Sequence, residues 1–347
     1  MKKLLRPFYK NGRYFNDKSQ HTESFLFGTI PSLVQSLIGR AQRLPTQRYP
    51  WIHYCEPRRA SLVPIITWIG HSTFLIQLGG INVLLDPIFG DLSYFHKRVF
   101  PPGITLAQLP PIDCVLISHN HRDHMDEKSL LGLKRHPELR ILVPKGDKKW
   151  FEKRNFEQVT EFEWWQKKSF FSIGNYFCGN ISFTFLPAIH WSQRTLFDKN
   201  RSLWGSWMIE WESTYFYFAG DTAYSSHFAQ IGQEFPRIDV ALMPIGPCEP
   251  RLWMRKMHVD AKEAIQGFLD LGARHFIPMH WGTFLMGMDE YDRPLRVLRQ
   301  EWVKRIGKES TKQTLHVLSI GQQIELVKTL EEPALQITFG AQKERHF

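Results

Sequence analysis

Short apolar runs dominate the sequence from residue 65 onward and limit what the chain can fold into. Each run is rich in β-branched or aromatic residues and is closed by Gly, Asp or Pro, which is typical of buried β-strands separated by turns. The predicted strands are Ile65–Ile69, Thr73–Leu78, Ile81–Leu85, Cys114–Ile117, Ile141–Val143, Ser182–Leu186, Ser206–Glu210, Thr214–Ala219, Val240–Ile245, His275–Pro278 and Thr314–Ile320. Helical segments are interspersed among them, so the pattern predicts a layered α/β domain rather than a helical bundle.

Two of these helices can be placed from their end signals. Asp260 is positioned to cap the first helix, Glu263 can complete a capping box three residues later, and Gly272 ends the helix. The second helix is predicted from about Pro294 to Ile306. The first helix carries an apolar stripe at helical spacing, so one of its faces is expected to be buried.

The composition of the 347-residue chain excludes several classes of protein. Hydrophobic residues make up 43% and charged residues 22%, so the chain is globular rather than disordered. No segment approaches the ~20 apolar residues of a membrane span, and no signal-peptide core follows the basic N-terminus. We therefore expect a cytoplasmic protein that is at most peripheral to a membrane. The net charge of +10 suits solubility, and it also suits an anionic partner such as phospholipid headgroups.

Cysteine usage excludes a further set of structures. The four cysteines are far apart in the sequence and show no CxxC spacing. This argues against a disulfide framework, a structural zinc knuckle and a redox pair.

The chain divides into three parts. Residues 1–63 form an irregular N-terminal extension, in which a short amphipathic helix is predicted over Pro31–Arg43. This helix would dock on the protein's own core or, alternatively, on a membrane surface. Residues 64–330 form the α/β domain, and residues 331–347 form a C-terminal tail with no predicted element.

A dense group of metal-ligating residue types follows the strand Cys114–Ile117. The run from His119 to His124 holds three imidazoles and one carboxylate, from His119, His121, Asp123 and His124. Such a mixture of nitrogen and oxygen donors suits zinc, iron or manganese, and two adjacent positions of this kind suit a dinuclear site. The run therefore predicts metal binding without specifying a reaction.

Three more potential ligands lie further along the chain, each just after a predicted strand. They are His190, Asp221 and His280. Each of them alone would more often be a structural residue. Their occurrence downstream of the dense group is what indicates one composite site, because loops at strand ends can converge.

The order of these residues resembles the metallo-β-lactamase superfamily: HxHxDH, a strand-end His, Gly-Asp-Thr and a late strand-end His. The resemblance implies a four-layer αβ/βα sandwich, with its site at the edge between the two sheets. It also implies two divalent metal ions, for which zinc is expected. The implied ligands are His119, His121 and His190 for one metal, Asp123, His124 and His280 for the other, and Asp221 as a bridge between them.

Further segments resemble one branch of that superfamily, the N-acyl-phosphatidylethanolamine-hydrolysing phospholipases D. These segments are HWSQR at 190–194, LWGSW at 203–207, HVD at 258–260 and HWGTF at 280–284. The resemblance implies a phosphodiesterase that hydrolyses N-acyl-phosphatidylethanolamine-like membrane lipids to phosphatidic acid and N-acylethanolamine, with a hydroxide shared by the metals. It implies catalytic roles for Asp123, Asp221 and His258, of which His258 would contact phosphate or protonate the leaving group.

Three other residues are candidates for supporting roles. Asp86, which closes a strand, would orient a ligand imidazole, and His71 would act in a similar way. Both positions also suit ordinary turn residues. Arg194 would contact phosphate or, equally well, form a surface salt bridge.

Two other functions stay open at this point. The same fold and metals would serve a soluble sugar-phosphate lactone or cyclic phosphate if a polar, closed pocket leads to the metals. A non-catalytic basic binding module would tolerate replacement of His119 and Asp221. The expected partner is a phospholipid substrate with peripheral membrane contact. No nucleic acid is expected, and the oligomeric state is open, a homodimer included.

Overall fold

The structure, a computed structural model, describes residues 4–18, 52–94, 96–173, 176–307, 312–328 and 335–339. The strands are β1 (Phe8–Lys10), β2 (Arg13–Phe15), β3 (Ile65–Gly70), β4 (Thr73–Leu78), β5 (Ile81–Leu85), β6 (Cys114–Leu116), β7 (Arg140–Pro144), β8 (Val159–Phe162), β9 (Gln166–Ile173), β10 (Tyr176–Leu186), β11 (Ser206–Trp211), β12 (Thr214–Phe218), β13 (Ile238–Pro244), β14 (Ala273–Met279), β15 (Thr314–Leu315), β16 (Gln323–Lys328) and β17 (Leu335–Phe339). The helices are α1 (Glu127–Leu133), α2 (Lys148–Glu152), α3 (His227–Glu234), α4 (Arg251–Met254), α5 (Ala261–Leu271) and α6 (Arg293–Arg305). None of the helices within these ranges has the length and apolar character needed to cross a membrane. The helix predicted over Pro31–Arg43 lies outside the described residues.

The first sheet contains eight strands in the order β17-β16-β3-β4-β5-β6-β7-β8. Strand β4 is antiparallel to both β3 and β5, so β3 and β5 run in the same direction. Strands β5, β6, β7 and β8 are parallel. The carboxyl ends of β3, β5 and β6 therefore lie at one edge of this sheet.

The second sheet contains seven strands in the order β15-β14-β13-β12-β11-β10-β9. Strand β11 is antiparallel to both β10 and β12, and β12, β13, β14 and β15 are parallel. The carboxyl ends of β10, β12 and β14 therefore also share an edge. Each sheet thus combines an antiparallel part with a parallel part.

The two sheets pack face to face, and helices cover them on the outside. In β5, Val83 and Leu85 belong to the core shared with the second sheet, whereas Leu84 belongs to a separate core under α1 and α2. This alternation follows from the two-residue period of a strand. Helix α5 packs on β13 and β14 and is flanked by α3 and α6. The predicted four-layer αβ/βα sandwich is confirmed.

A tryptophan connects the two sheets next to the predicted ligand run. Trp207 in β11 is fully buried, and its Nε1 donates a hydrogen bond of 2.9 Å to the carbonyl of Ile117, two residues before His119. The amide of Gly205 donates to the carbonyl of Ser118 at 3.0 Å. The second sheet therefore holds the start of a run that belongs to the first sheet.

Helix α5 begins and ends where the sequence predicts, but the predicted capping box is wrong. Asp260 Oδ1 accepts a hydrogen bond of 2.9 Å from the amide of Glu263, and Gly272, at φ +66°, ends the helix. The Glu263 carboxylate does not reach back to the helix start and instead pairs with Arg251 in α4. A guanidinium is a stronger partner for a carboxylate than a backbone amide is.

Two short pieces of sheet lie in segments that the sequence presents as irregular. Strands β1 and β2 form an antiparallel hairpin in the N-terminal extension. Strand β17, within the predicted tail, pairs antiparallel with β16 from Leu335 opposite Lys328 to Phe339 opposite Ile324. The sequence alone did not predict β17, because a five-residue edge strand is defined by its pairing with a neighbouring strand rather than by a strong local pattern.

Candidate metal centre

Residues predicted as ligands come from both sheets and meet at one edge of the sandwich. Each follows the carboxyl end of a strand: the run His119–His124 follows β6, His190 follows β10, Asp221 follows β12 and His280 follows β14. Within each sheet these ends share an edge, which is where sites form in sheets of this kind. His258 joins them from the segment between α4 and α5.

Three imidazoles form the first cluster of potential ligands. His121 Nδ1 lies 2.9 Å from His119 Nε2 and 3.2 Å from His190 Nε2. Nitrogens bound tetrahedrally to one zinc, each at about 2.0–2.1 Å, are separated by roughly 3.3 Å. These two separations are close to that value, and all three ligand atoms lie within 4.8 Å of one another, so they form a group that could hold one cation.

The second cluster contains Asp123, His124 and His280, with His71 beside them. Asp123 Oδ2 lies 3.3 Å from His124 Nε2 and 3.6 Å from His280 Nε2. All four side chains are buried. A carboxylate and two imidazoles at these distances form a mixed oxygen and nitrogen donor set, which suits zinc, iron or manganese.

Asp221 lies between the two clusters. Its Oδ2 is 3.9 Å from His119 Nε2 and 3.8 Å from His190 Nε2 in the first cluster. The same oxygen is 3.3 Å from His124 Nε2, and Oδ1 is 3.2 Å from His280 Nε2 in the second. One carboxylate therefore faces ligand atoms of both clusters.

Hydrogen bonds on the outer side of the rings fix their orientation. His190 Nδ1 donates to the carbonyl of Met257 at 2.8 Å, and His124 Nδ1 donates to Asp86 Oδ2 at 2.7 Å. Because Nδ1 makes the outer hydrogen bond, Nε2 is the nitrogen that each ring presents to the site. Both rings are thus prepared to bind a cation through Nε2.

Asp86 connects the two clusters from behind. It accepts hydrogen bonds from the Ser118 amide at 2.7 Å and from Ser118 Oγ at 2.5 Å, and Ser118 Oγ lies 2.9 Å from His119 Nδ1. Burial raises the pKa of Asp86, and its bonds to His124 and Ser118 oppose that rise by favouring the carboxylate. Because the hydroxyl donates to Asp86, it accepts from His119. Of the two roles considered for Asp86, an orienting residue or an ordinary turn residue, these contacts support the first. Asp86 orients His124 directly and His119 through Ser118.

Several buried atoms of the site have no hydrogen-bond partner within the described parts of the chain. They include His124 Nε2, His280 Nε2 and Asp221 Oδ1. Leaving such atoms without a partner costs free energy, so they normally indicate an ion or a water. The donor types and the spacing both fit divalent cations, and the cluster is able to bind metal.

The electrostatics of the first cluster favours neutral ligands. Burial lowers the pKa of His119 well below its usual range, that of His121 to about 3 and that of His190 to about 4. Metal binding requires an unprotonated imidazole nitrogen. These three rings are therefore ready to bind a cation at neutral pH.

The second cluster instead carries negative charge that needs a positive partner. Burial opposes ionisation of Asp221, but His124 and His280 more than offset this and hold the pKa of the carboxyl well below its usual range. Burial also opposes protonation of His280, yet the nearby carboxylates, Asp221 foremost, raise its pKa to about 9. The pocket therefore attracts positive charge, which a proton or a cation can supply.

His258 lines the site but is not prepared as an acid. Its Nδ1 lies 3.7 Å from Asp221 Oδ2, and the centre of its ring is 5.2 Å from that of His190. Burial lowers the pKa of His258 well below its usual range, so the ring is neutral at neutral pH. A neutral imidazole can form a hydrogen bond to substrate but has no acidic proton ready for a leaving group.

Among the described residues, Arg194 has no carboxylate partner for the surface salt bridge that the sequence offered as one alternative. Its Nη1 donates to the carbonyls of Met125 at 2.6 Å and Asn120 at 3.2 Å, and its guanidinium lies over the ring of Trp150 at 4.7 Å. The side chain is half-buried, where backbone carbonyls and an aromatic face replace water. Arg194 therefore holds the ligand run in place.

Sequence reasoning missed two groups that support the site. Asn16, from the N-terminal extension, donates to the carbonyl of His190 at 3.0 Å and accepts from its amide at 3.2 Å. Met257 contributes only its carbonyl, to His190. No local signal marks either group, because Asn16 is 174 residues away in the chain and any residue has a carbonyl.

Comparison with known proteins places the fold and the centre in a family. A family model described as the beta-lactamase superfamily domain matches residues 81–281. The N-acyl-phosphatidylethanolamine-hydrolyzing phospholipase D 1 of Caenorhabditis elegans is 36% identical over 237 residues, which are 65% of this chain and 65% of that protein. The chain thus spans slightly less than two thirds of that relative. A metal-dependent hydrolase of Rubrobacter xylanophilus is 29% identical over 244 residues, 68% of this chain and 90% of the relative.

Solved structures agree on the fold. A metallo hydrolase of the archaeon Ignicoccus hospitalis superposes with a TM-score of 0.58 at 20% identity, over 76% of this chain and 99% of the other. The four-layer sandwich, the order of the candidate ligands in the sequence and the family match all indicate the same superfamily. The chain belongs to the metallo-β-lactamase superfamily.

Proposed function

We propose that this hydrolase is a phospholipase D-type phosphodiesterase acting on N-acyl-phosphatidylethanolamine-like lipids, with phosphatidic acid and N-acylethanolamine as products. The observation that carries the proposal is the position of Asp221 within 3.9 Å of ligand atoms in both clusters. Two adjacent cation sites are the arrangement that phosphoester hydrolysis uses to hold both the attacking and the leaving oxygen. The lipid substrate is suggested by the 36% identical relative.

In this proposal the described donors divide between two cations. One would be held by His119, His121 and His190, the other by Asp123, His124 and His280, and Asp221 would be available to both. The nitrogen-rich first cluster favours zinc. Bound divalent cations supply Lewis acidity toward phosphoryl oxygens and lower the pKa of water toward about 7.

The protein's own residues then orient the substrate. His258 lies beside Asp221 with a neutral ring, so it can donate a hydrogen bond to a phosphate oxygen. Asp123 and Asp221 hold their negative charge because neighbouring imidazoles stabilise it. Of the two roles that the sequence suggested for His258, we therefore retain contact with phosphate and not protonation of the leaving group.

Exposed apolar side chains on the loops around the site support a lipid substrate. Phe197 is 79% exposed on the loop after His190, and Leu252 is 73% exposed in α4, six residues before His258. We use the name collar for the large exposed apolar residues of these loops: Tyr94, Leu196, Phe197, Leu252, Trp253 and Met288.

Backbone hydrogen bonds connect the collar loops to one another. Met288 donates from its amide to the carbonyl of Glu249, beside α4, at 2.9 Å, and Val99 donates to Thr283 at 2.8 Å. His190, which precedes the loop that carries Phe197, adds a side-chain contact, because its Nδ1 donates to the carbonyl of Met257 just after α4. The same loops carry the basic residues Lys97, Lys199, Arg251, Arg255 and Lys256. Apolar side chains flanked by positive charge are suited to a phospholipid surface, so we propose that the collar contacts the membrane.

Leu252 and Trp253 provide a test of that contact. The double replacement Leu252→Ser and Trp253→Ser should lower partitioning onto phosphatidylethanolamine and phosphatidylglycerol vesicles by about tenfold or more, because two inserted apolar side chains are lost. Vesicle co-sedimentation measures this effect. Hydrolysis of the soluble diester bis(p-nitrophenyl) phosphate should be unchanged. The matched control is Val303→Ser on α6, an exposed apolar residue outside the collar. Equal partitioning of the double variant and the wild type would contradict the collar.

The substrate assignment is tested by presenting lipid and soluble esters to the same preparation. We expect release of N-acylethanolamine and phosphatidic acid from N-acyl-phosphatidylethanolamine, slowed by about 100-fold or more after chelation because the Lewis-acid contribution is lost. Mass spectrometry of the products measures both, with unacylated phosphatidylethanolamine as the comparison. Readdition of zinc should restore the rate.

The alternative substrate is a soluble sugar-phosphate lactone or cyclic phosphate. The Rubrobacter relative, which this chain covers over 90% of its length, is described only as a metal-dependent hydrolase. Chelator-sensitive turnover of such soluble compounds, with none of the lipid, would favour this alternative and retain the metal centre.

A further inference from the structure

The turn between β3 and β4 places a buried histidine against the second cluster. His71 is 2% exposed, and its Nε2 lies 3.0 Å from Asp123 Oδ2. Its ring centre is 4.1 Å from that of His280. The turn that carries His71 is not part of the ligand pattern described for the sequence.

The backbone of this turn is held in a conformation that L-residues rarely adopt. Gly70 and His71 have successive φ values of +123° and +56°. A non-glycine residue in the left-handed region costs roughly 1–2 kcal/mol, so its surroundings must hold it there. At φ +123° any L side chain at Gly70 would be strained, and its β-carbon would also lie 3.2 Å from Thr283 Oγ1, so glycine suits the position before the histidine.

Three hydrogen bonds fix the backbone of His71. Its amide donates to Thr283 Oγ1 at 2.6 Å, and its carbonyl accepts from Trp68 Nε1 at 2.9 Å and from the amide of His280 at 3.2 Å. The turn in the first sheet is thereby attached to the loop that carries His280 in the second sheet. The imidazole of His71 is consequently placed on Asp123 with little freedom.

The tautomer of His71 follows from its partner. Nε2 of His71 and Oδ2 of Asp123 face each other at 3.0 Å in a buried place. A carboxylate oxygen accepts a hydrogen bond, and a lone pair on Nε2 facing it would repel it. The proton between the two atoms therefore lies on Nε2.

Asp123 Oδ2 has room for this bond and for a cation. A carboxylate oxygen carries two lone pairs. The same Oδ2 faces His124 and His280 at 3.3 and 3.6 Å. One lone pair can therefore accept from His71 while the other points into the cluster.

We propose that His71 is a positioning residue of the metal centre, which donates a hydrogen bond from Nε2 to Asp123 and thereby fixes the oxygen that this carboxylate presents to the second cation. The inference rests on the two-cation part of the proposed function and not on the lipid substrate. A protonated Nε2 also means that His71 supports the site without binding the cation itself.

Cobalt titration tests the proposal without any substrate. Metal-depleted wild type and His71→Ala are titrated with Co²⁺ against a chromophoric chelator. Partners of metal ligands typically contribute about 10–100-fold to affinity. We expect His71→Ala to weaken the second equivalent by that factor and to leave the first within about threefold, while His71→Gln, which retains a donor, restores most of the affinity.

The visible spectrum of the cobalt protein separates positioning from ligation. At saturating Co²⁺ the band positions and intensities of His71→Ala should match those of wild type, because the donor atoms are the same. A changed spectrum would show that His71 binds the cation, and an unchanged second affinity would show that it has no role; each result overturns the proposal. The control is His316→Ala, which removes a half-buried histidine that contacts His275 toward the other end of β14, with thermal melting of each variant as the check on folding.

Two failures can be told apart. Wild type that binds only one equivalent of Co²⁺ would contradict the two-cation centre itself. Wild type that binds two equivalents, with His71→Ala indistinguishable from it, would contradict the role of His71 alone.

Discussion

Replacing Asp221 by alanine is expected to lower hydrolysis by about 10³-fold or more and to reduce the metal content of the protein. The carboxylate faces four imidazole nitrogens of two clusters at 3.2–3.9 Å, so its loss would remove a donor from both proposed cation sites at once. Removal of a single group that stabilises developing charge already costs about 10²–10³ in turnover. Steady-state turnover and elemental analysis of the same preparation measure the two effects.

A buried carboxylate outside the site provides the control for Asp221. Asp239 is fully buried at the amino end of β13, where it accepts a hydrogen bond from the amide of Tyr215. Asp239→Asn should keep its metal and its turnover. Full activity in Asp221→Ala would contradict the catalytic centre and favour the non-catalytic binding module that the basic charge leaves open.

Replacement of Asp86 is expected to damage stability and metal binding together. Asp86→Ala leaves the Ser118 amide, the Ser118 hydroxyl and His124 Nδ1 without their acceptor in a fully buried place. Each unpaired buried donor costs about 1–3 kcal/mol, so several kcal/mol of unfolding free energy should be lost. The variant also removes the group that orients His124 directly and His119 through Ser118. The affinity for metal should therefore fall by about 10–100-fold at both proposed cation sites.

Denaturant unfolding of the metal-depleted protein separates the two effects of Asp86. A loss of stability without any metal present reports the hydrogen bonds alone. A conservative Asp86→Asn variant retains one acceptor oxygen and should fall between alanine and wild type. Unaltered affinity in a folded Asp86→Ala protein would show that the imidazoles orient themselves without it.

The convergence of the candidate ligands was predictable because their signals are local and the topology is simple. His119, His121, Asp123 and His124 lie within six residues after one apolar run. His190, Asp221 and His280 could be added because strands that run the same way end at the same edge. The structure brings all seven together with His258, and their assignment to two cations stays a prediction.

What the sequence did not predict depends on contacts between distant parts of the chain. Asn16 reaches the backbone of His190 from a segment that reads as irregular. Arg194 satisfies its charge with carbonyls of the ligand run, which no pattern in its own neighbourhood indicates. Strand β17 exists through its pairing with β16. In each case tertiary packing decides the outcome, and local propensity carries no information about it.

The division of the donors between the two sheets links metal supply to folding. The first sheet contributes the run His119–His124, and the second contributes His190, Asp221 and His280, so neither sheet supplies the whole set of proposed ligands. Any free energy gained from metal binding would therefore also hold the two sheets together. It would add to the effect of contacts such as the hydrogen bond from Trp207 to Ile117. A cell starved of the metal would then hold enzyme that is not merely idle but easier to unfold and degrade, so abundance as well as activity would follow metal availability.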